Sequence, residues 1–228
     1  MPLTTLLVHA ALLARLAAPY PFAVGERLDY EARLGMIPVG TATMSVNPMT
    51  RERGREAFVF AAIGQGRPLG IRVGAELTSY VGARGFNSLR FHRRVFQGSS
   101  VDESRFQIIP DSSRYREEGI PQDWVAPSDP LDELAFLYYL RTVPLKLGTT
   151  YSFPRYFKTG YNPVQVRVVS RDTRELPGGG TAPALLLEIT SHTMRMSVTM
   201  TDDARRLPVE MELPLPFGRV TLELTRAG

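Results

Sequence analysis

The chain has 228 residues, 43% of them hydrophobic and 22% charged, with no cysteine and a net charge of +4. That content supports a sizeable core and argues against wholesale disorder; the missing cysteine excludes disulfides, thiolate nucleophiles, iron–sulfur clusters and a cysteine-linked lipid. Lysine occurs only at Lys146 and Lys158, and the arginines are interleaved with acids, as in Arg51-Glu52-Arg53, so the basic excess forms no tract of the kind that binds nucleic acid.

Residues 1–18, MPLTTLLVHAALLARLAA, are the one long apolar run. Short and interrupted by His9 and Arg15, the run falls below a spanning helix and suits a signal peptide trimmed between Ala17 and Ala23. The alternative is a helix retained in the folded protein, since no Lys or Arg precedes Leu6 and Leu16 stands where a small residue is expected. Residues 19–228 contain no linker and no repeat, and predict a single curled β domain.

After Pro19 and Pro21, the segment GERLDYEARLG places Leu28, Tyr30, Ala32 and Leu34 on alternate positions, a strand with one buried face. In IPVGTATMSV the apolar phase switches from Ile37 and Val39 to Ala42, Met44 and Val46, with Gly40 at the switch, which predicts a β-bulge or sharp bend. FVFAAI, IRVGAELTSYV, SLRFHRRVF and SVDESRFQII follow at short intervals, a spacing that argues for an antiparallel sheet curling into a barrel or sandwich. Residues 110–130, with Pro110, Pro121, Pro127, Pro130 and the only tryptophan, Trp124, read as a loop or lid.

SDPLDELAFLYYLRTVPL predicts one main helix over about 130–143. Asp129 is placed to cap it, Pro130 suits its first turn, Asp132 and Glu133 favour its positive end, Arg141 the other end, and Pro144 stops it. Leu131, Leu134, Ala135 and Tyr138 form one stripe and Phe136, Leu137, Tyr139 and Leu140 fill the rest, so the helix should be buried on most sides. TYSFPRYF, PVQVRVVS, ALLLEITS, HTMRMSVTM, LPVEMELP and GRVTLELT then give further strands. The fold class is therefore mainly β: one curled antiparallel sheet, or partly open β-barrel, with one helix packed against it.

Signals for chemistry are sparse. His9, His92 and His192 have no partners at metal-ligand spacing, and no G-x-S-x-G elbow is present. Gly64 to Gly70 lacks the Lys-Ser/Thr of a phosphate loop and leads into a strand, so it reads as a turn. The acidic pairs Asp102-Glu103, Asp132-Glu133 and Asp202-Asp203 fall at a strand edge, a helix start and a turn. No enzyme, metal or cofactor is expected.

What stands out is the alternation of Met194, Met196, Val198 and Met200 in HTMRMSVTM, with Met211 in the next strand. Methionine on a strand face is ordinary core, yet it is also over-used on surfaces that accept variable greasy partners. Both readings stay open. If the face walls a pocket, its lining is Met194, Met196, Val198, Met200 and Met211 together with Leu134 and Tyr138 of the helix.

A set of short motifs adds a resemblance: Phe22; Gly25-Glu26-Arg27-Leu28-Asp29-Tyr30; Gly40 and Ala42; Asp132-Glu133-Leu134 through Leu140-Arg141; Gly148; Asp203-Ala204-Arg205-Arg206-Leu207-Pro208-Val209; and Gly218. In this order, over residues 22–224, the chain resembles the bacterial domain-of-unknown-function family numbered 3108. The resemblance implies export to the periplasm or cell envelope and supplies no catalytic residue. The curled architecture is similar to that of periplasmic lipoprotein and lipid carriers, although this chain has no cysteine for an anchor. Two functions follow as expectations: an envelope protein that holds a lipid or other hydrophobic small molecule in a concave sheet, with peripheral membrane contact, or a structural or interaction module without ligand.

Overall fold

The computed structural model describes residues 20–228 apart from Thr193, Met194, Pro216 and Phe217. The expected leader, residues 1–18, and the expected lining residue Met194 lie outside the described residues. Among the described residues fourteen strands form one sheet. In chain order these are β1 (Arg27–Leu34), β2 (Ile37–Glu52), β3 (Arg55–Gly66), β4 (Val73–Gly82), β5 (Ser88–Gln97), β6 (Ser100–Ile109), β7 (Arg114–Glu117) and β8 (Asp123–Val125). After helix α1 (Glu133–Leu140) come β9 (Thr150–Phe153), β10 (Val164–Glu175), β11 (Thr181–Thr190), β12 (Arg195–Thr201), β13 (Pro208–Leu215) and β14 (Gly218–Ala227).

All neighbours are antiparallel, in the order β8-β7-β6-β5-β4-β3-β2-β1-β14-β13-β12-β11-β10-β9. The chain thus lays down two meanders, and β1 joins them at the centre by pairing with β14, Leu28 facing Ala227. The sheet curls without closing its ladder, as the alternation and turn spacing led one to expect. Beyond its edge strands, the segments that follow β8 and β9 are bridged by backbone along a seam: Leu131 N donates to Arg155 O at 2.6 Å and Phe157 N to Leu131 O at 2.9 Å.

Local sequence explains the strands. Leu28, Tyr30 and Ala32 of β1 are buried between exposed or half-buried neighbours. The re-phasing at Gly40 is a bulge: Ala32 faces Gly40 but Arg33 faces Pro38, leaving Val39 as the extra residue. Glycine is required there because a Cβ on Gly40 would collide with the Gln65 carbonyl of β3. At the other end of the chain, β12 and β13 reverse through residues 202–207, with Thr201 Oγ1 accepting from Leu207 N and donating to Asp203 Oδ1.

Three local expectations need correction. Residues 110–130 are not simply a loop or lid, because β7 and β8 form a hairpin on the β6 edge with Tyr115 stacked on Trp124 at 5.3 Å. Those strands are too short to show a period, and prolines flank them. The helix is shorter than 130–143 and is capped by Asp132, not Asp129, since Leu131 is extended in the seam bridge. Lastly, the alternation of Met196, Val198 and Met200 implies a wet face opposite them, yet Thr199, which lies between them, is buried, as is Thr201.

Asp132 anchors the helix. Its Oδ1 accepts from Leu134 N at 3.1 Å and Ala135 N at 2.9 Å. Its Oδ2 accepts from Ser79 Oγ of β4 at 2.6 Å and Ser88 Oγ of β5 at 2.7 Å. The carboxyl is fully buried, and desolvation pushes its pKa up to about 7 against the pull of those hydrogen bonds.

Candidate ligand-binding site

The interior of the curled sheet divides into a filled half and a hollow half. The filled half holds the C-terminal turn of α1. Tyr138 stacks on Phe60 at 3.9 Å and meets Phe22 edge-on at 5.2 Å. Beyond it Arg141, with its side chain only 1% exposed, donates to both carboxylate oxygens of Glu26, at 2.6 and 2.8 Å, and to the carbonyls of Pro21 and Arg205. One arginine therefore ties the helix, the segment before β1 and the β12–β13 turn together. Bidentate geometry of this kind is what a guanidinium supplies and an ammonium does not.

The hollow half is a cavity of about 570 Å³ between the first turns of α1 and strands from both meanders. Its walls include Leu134, Phe136 and Leu137 of the helix, Met44, Leu77 and Phe106 on one side, and Met196, Met211, Leu213 and Leu222 on the other. The space exists because inward positions that would otherwise carry large side chains are small. Ala42 faces Gly64 and Gly64 faces Ala75 across β2, β3 and β4, and all three line the cavity. A Cβ on Gly64 would touch nothing nearer than the Ala42 Cβ at 3.8 Å, so that position opens onto free volume.

One flank of the cavity is polar. Tyr156 Oη donates to Glu133 Oε1 at 2.6 Å, while Glu133 Oε2 is buried with no partner among the described residues. Burial and the adjacent carboxylate raise the Tyr156 phenol well above its ordinary value. Lys158 lies over the Phe106 ring at 4.4 Å, and Arg93 reaches Asp102 at 2.6 Å; both line the same cavity. An apolar body with polar groups on one side suits an amphiphile.

Of the expected lining residues, Leu134, Met196 and Met211 border the cavity. Val198, Met200 and Tyr138 do not: they are buried in the filled half, deeper along the same strand and helix. Alternation assigns a face, but not what covers it, and α1 covers only part of this one. Small residues add little to an apolar period, so this row is absent from the expected lining. Its signal was present as Ala42, Gly64 and Ala75 on inward phases of neighbouring strands.

Other candidates resolve into structure. His92 Nε2 lies 3.1 Å from Glu103 Oε1, and Glu103 also meets Arg105, so the Asp102 and Glu103 carboxylates serve different partners. Asp203 caps the β12–β13 turn by accepting from Arg205 N and Arg206 N. Among the described residues, no group of three or more His, Asp or Glu is placed to hold a metal ion, and no helix is long and apolar enough to cross a membrane.

An open β-barrel around one helix, with an apolar hollow inside, defines the class. A family model for proteins of unknown function, DUF3108, matches residues 29–225, and the chain belongs to that family. A solved structure of similar fold is the β-barrel-like protein of domain of unknown function DUF1849 from Brucella abortus. The likeness has a TM-score of 0.54 at 10% identity and covers 89% of this chain and 96% of that one. No curated protein matches the sequence.

Proposed function

We propose that the protein is an exported envelope protein that binds a lipid or other single-chain amphiphile in the hollow half of its barrel, and that it binds this ligand without transforming it. The observation that carries the reading is the cavity of about 570 Å³, which falls within the roughly 300–1,000 Å³ of small-molecule sites, whereas packed cores leave few voids larger than a water. The polar flank of Glu133, Tyr156, Lys158 and Arg93 gives a head group somewhere to sit. Export rests on the apolar run at residues 1–18 and is tested by the intact mass of protein recovered from its host.

Protein purified from its own envelope without detergent should carry lipid in non-denaturing mass spectrometry, and a fluorescent fatty acid should bind the emptied protein at micromolar levels. Gly64→Leu and Met196→Trp fill the hollow and should abolish probe binding. Met200→Trp, in the filled half, should perturb stability instead. If the unmodified protein binds no probe and carries no lipid, the reading of a ligand-free interaction module takes its place.

A further inference from the structure

Among the described residues, the hairpins β1–β2, β3–β4 and β5–β6 end together beside the hollow half, next to the start of β14. Backbone contacts fix them as neighbours. Arg67 N donates to Val39 O at 2.8 Å, Gly98 N to Arg72 O at 2.7 Å, and Leu34 faces Val220. Two of these tips carry the three most exposed large apolar side chains among the described residues, Met36 at 88%, Leu69 at 81% and Ile37 at 65%. Leu69 is also held at φ +51°, a region that a residue with a Cβ occupies at a cost. Conformation and exposure are both unfavourable for this leucine in water, which marks the tip as built for contact with something else.

The charge flanking Leu69 is of one sign. No Asp or Glu stands between Glu56 and Glu76, so Leu69 is flanked in its hairpin by Arg67 and Arg72 alone. At the Met36 tip Arg33 donates to the Met36 carbonyl and also pairs with Glu31, so the net positive charge lies at the Leu69 tip. A second copy docked about a two-fold axis would set arginine against arginine. A phospholipid surface instead offers phosphates at the depth of the guanidinium groups and acyl chains just beneath them.

We infer that the hairpin-tip end is a membrane-docking surface. Met36 and Leu69 enter the acyl boundary of a bilayer containing anionic phospholipid, Arg67 and Arg72 meet its phosphates, and the hollow half of the barrel faces the lipid. This goes beyond ligand binding, and the two can fail separately.

The test is co-sedimentation of the protein, as recovered from its native host, with phosphatidylglycerol-containing vesicles, pure phosphatidylcholine serving as control. Wild type should pellet with the anionic vesicles. Replacing Arg67 and Arg72 by glutamine should weaken binding about fivefold for each arginine lost, and the Met36→Glu, Leu69→Glu pair should abolish it. These residues are exposed, so the variants should keep the wild-type melting temperature and fatty-acid probe affinity. Gly64→Leu should lose the probe and keep the vesicles. Absence of vesicle binding by wild type, or unchanged binding by the glutamate pair, overturns the proposal. A glutamate pair that instead splits a dimer, with no vesicle binding, assigns the tips to self-association.

Discussion

Asp132 shows how one side chain can fix an element and carry a pH dependence together. Its carboxyl satisfies two amides of the helix start and two serines of the sheet while fully buried. Because the folded-state pKa is raised from 3.8 to about 7, the contribution of the protonated group is fully present below the unfolded value and is lost as pH rises through about 7. Asp132→Asn keeps an acceptor for the helix amides and cannot ionise. Relative to wild type, it should therefore gain stability as pH is raised from about 4 to about 8, measured by denaturant unfolding at each pH. Asp132→Ala should be the worse of the two at every pH, losing about 1 kcal/mol for the cap alone and leaving two serine hydroxyls without an acceptor. An acid at the helix start was legible in the sequence; its serine partners were not, since Ser79 and Ser88 lie 53 and 44 residues away.

Within β12 the two ends of one apolar face have different surroundings. Met200 is packed on all sides in the filled half, whereas Met196 borders the hollow. Truncating a packed methionine leaves a new cavity and costs about 2–5 kcal/mol, while truncating one beside existing space enlarges a void already there. Met200→Ala should therefore cost at least about twice as much stability as Met196→Ala, read from denaturant midpoints. Equal losses would mean that the hollow is closed in solution. Alternation revealed the inward side of β12, although not that Thr199 and Thr201 on its other side are buried too, and, through the phase switch at Gly40, where β2 bulges. It left open where along the strand the interior empties, because that depends on the length of α1 and on small residues in β2, β3 and β4.

Across the whole molecule, the curled sheet and its one helix were legible because each rests on a local period. The β7–β8 hairpin, the seam at Leu131 and the arginine clasp were not, since each joins segments that share no local pattern. Arg141 was readable only as a favourable charge at a helix end. In the structure it unites three distant segments, and its removal leaves Glu26 without a guanidinium and two carbonyls without a donor. Arg141→Gln should cost about 3–5 kcal/mol, in line with breaking other buried ion pairs. Glu26→Gln, which leaves both backbone contacts of Arg141 in place, should cost less by the same unfolding measurement.

The pairing of β1 with β14 has a consequence in time. Strands β2 to β8 and β9 to β13 find their partners among near neighbours in the chain, so each meander can assemble as soon as it is synthesised. The central ladder cannot, because Leu28 must wait for Ala227. If the protein is exported as proposed, threaded through a channel with its first residues leading, β1 spends the passage as an exposed edge open to any passing strand. Such a chain has reason to meet a holding chaperone on the far side, and the last hydrogen bonds to form are those that turn two half-sheets into one vessel.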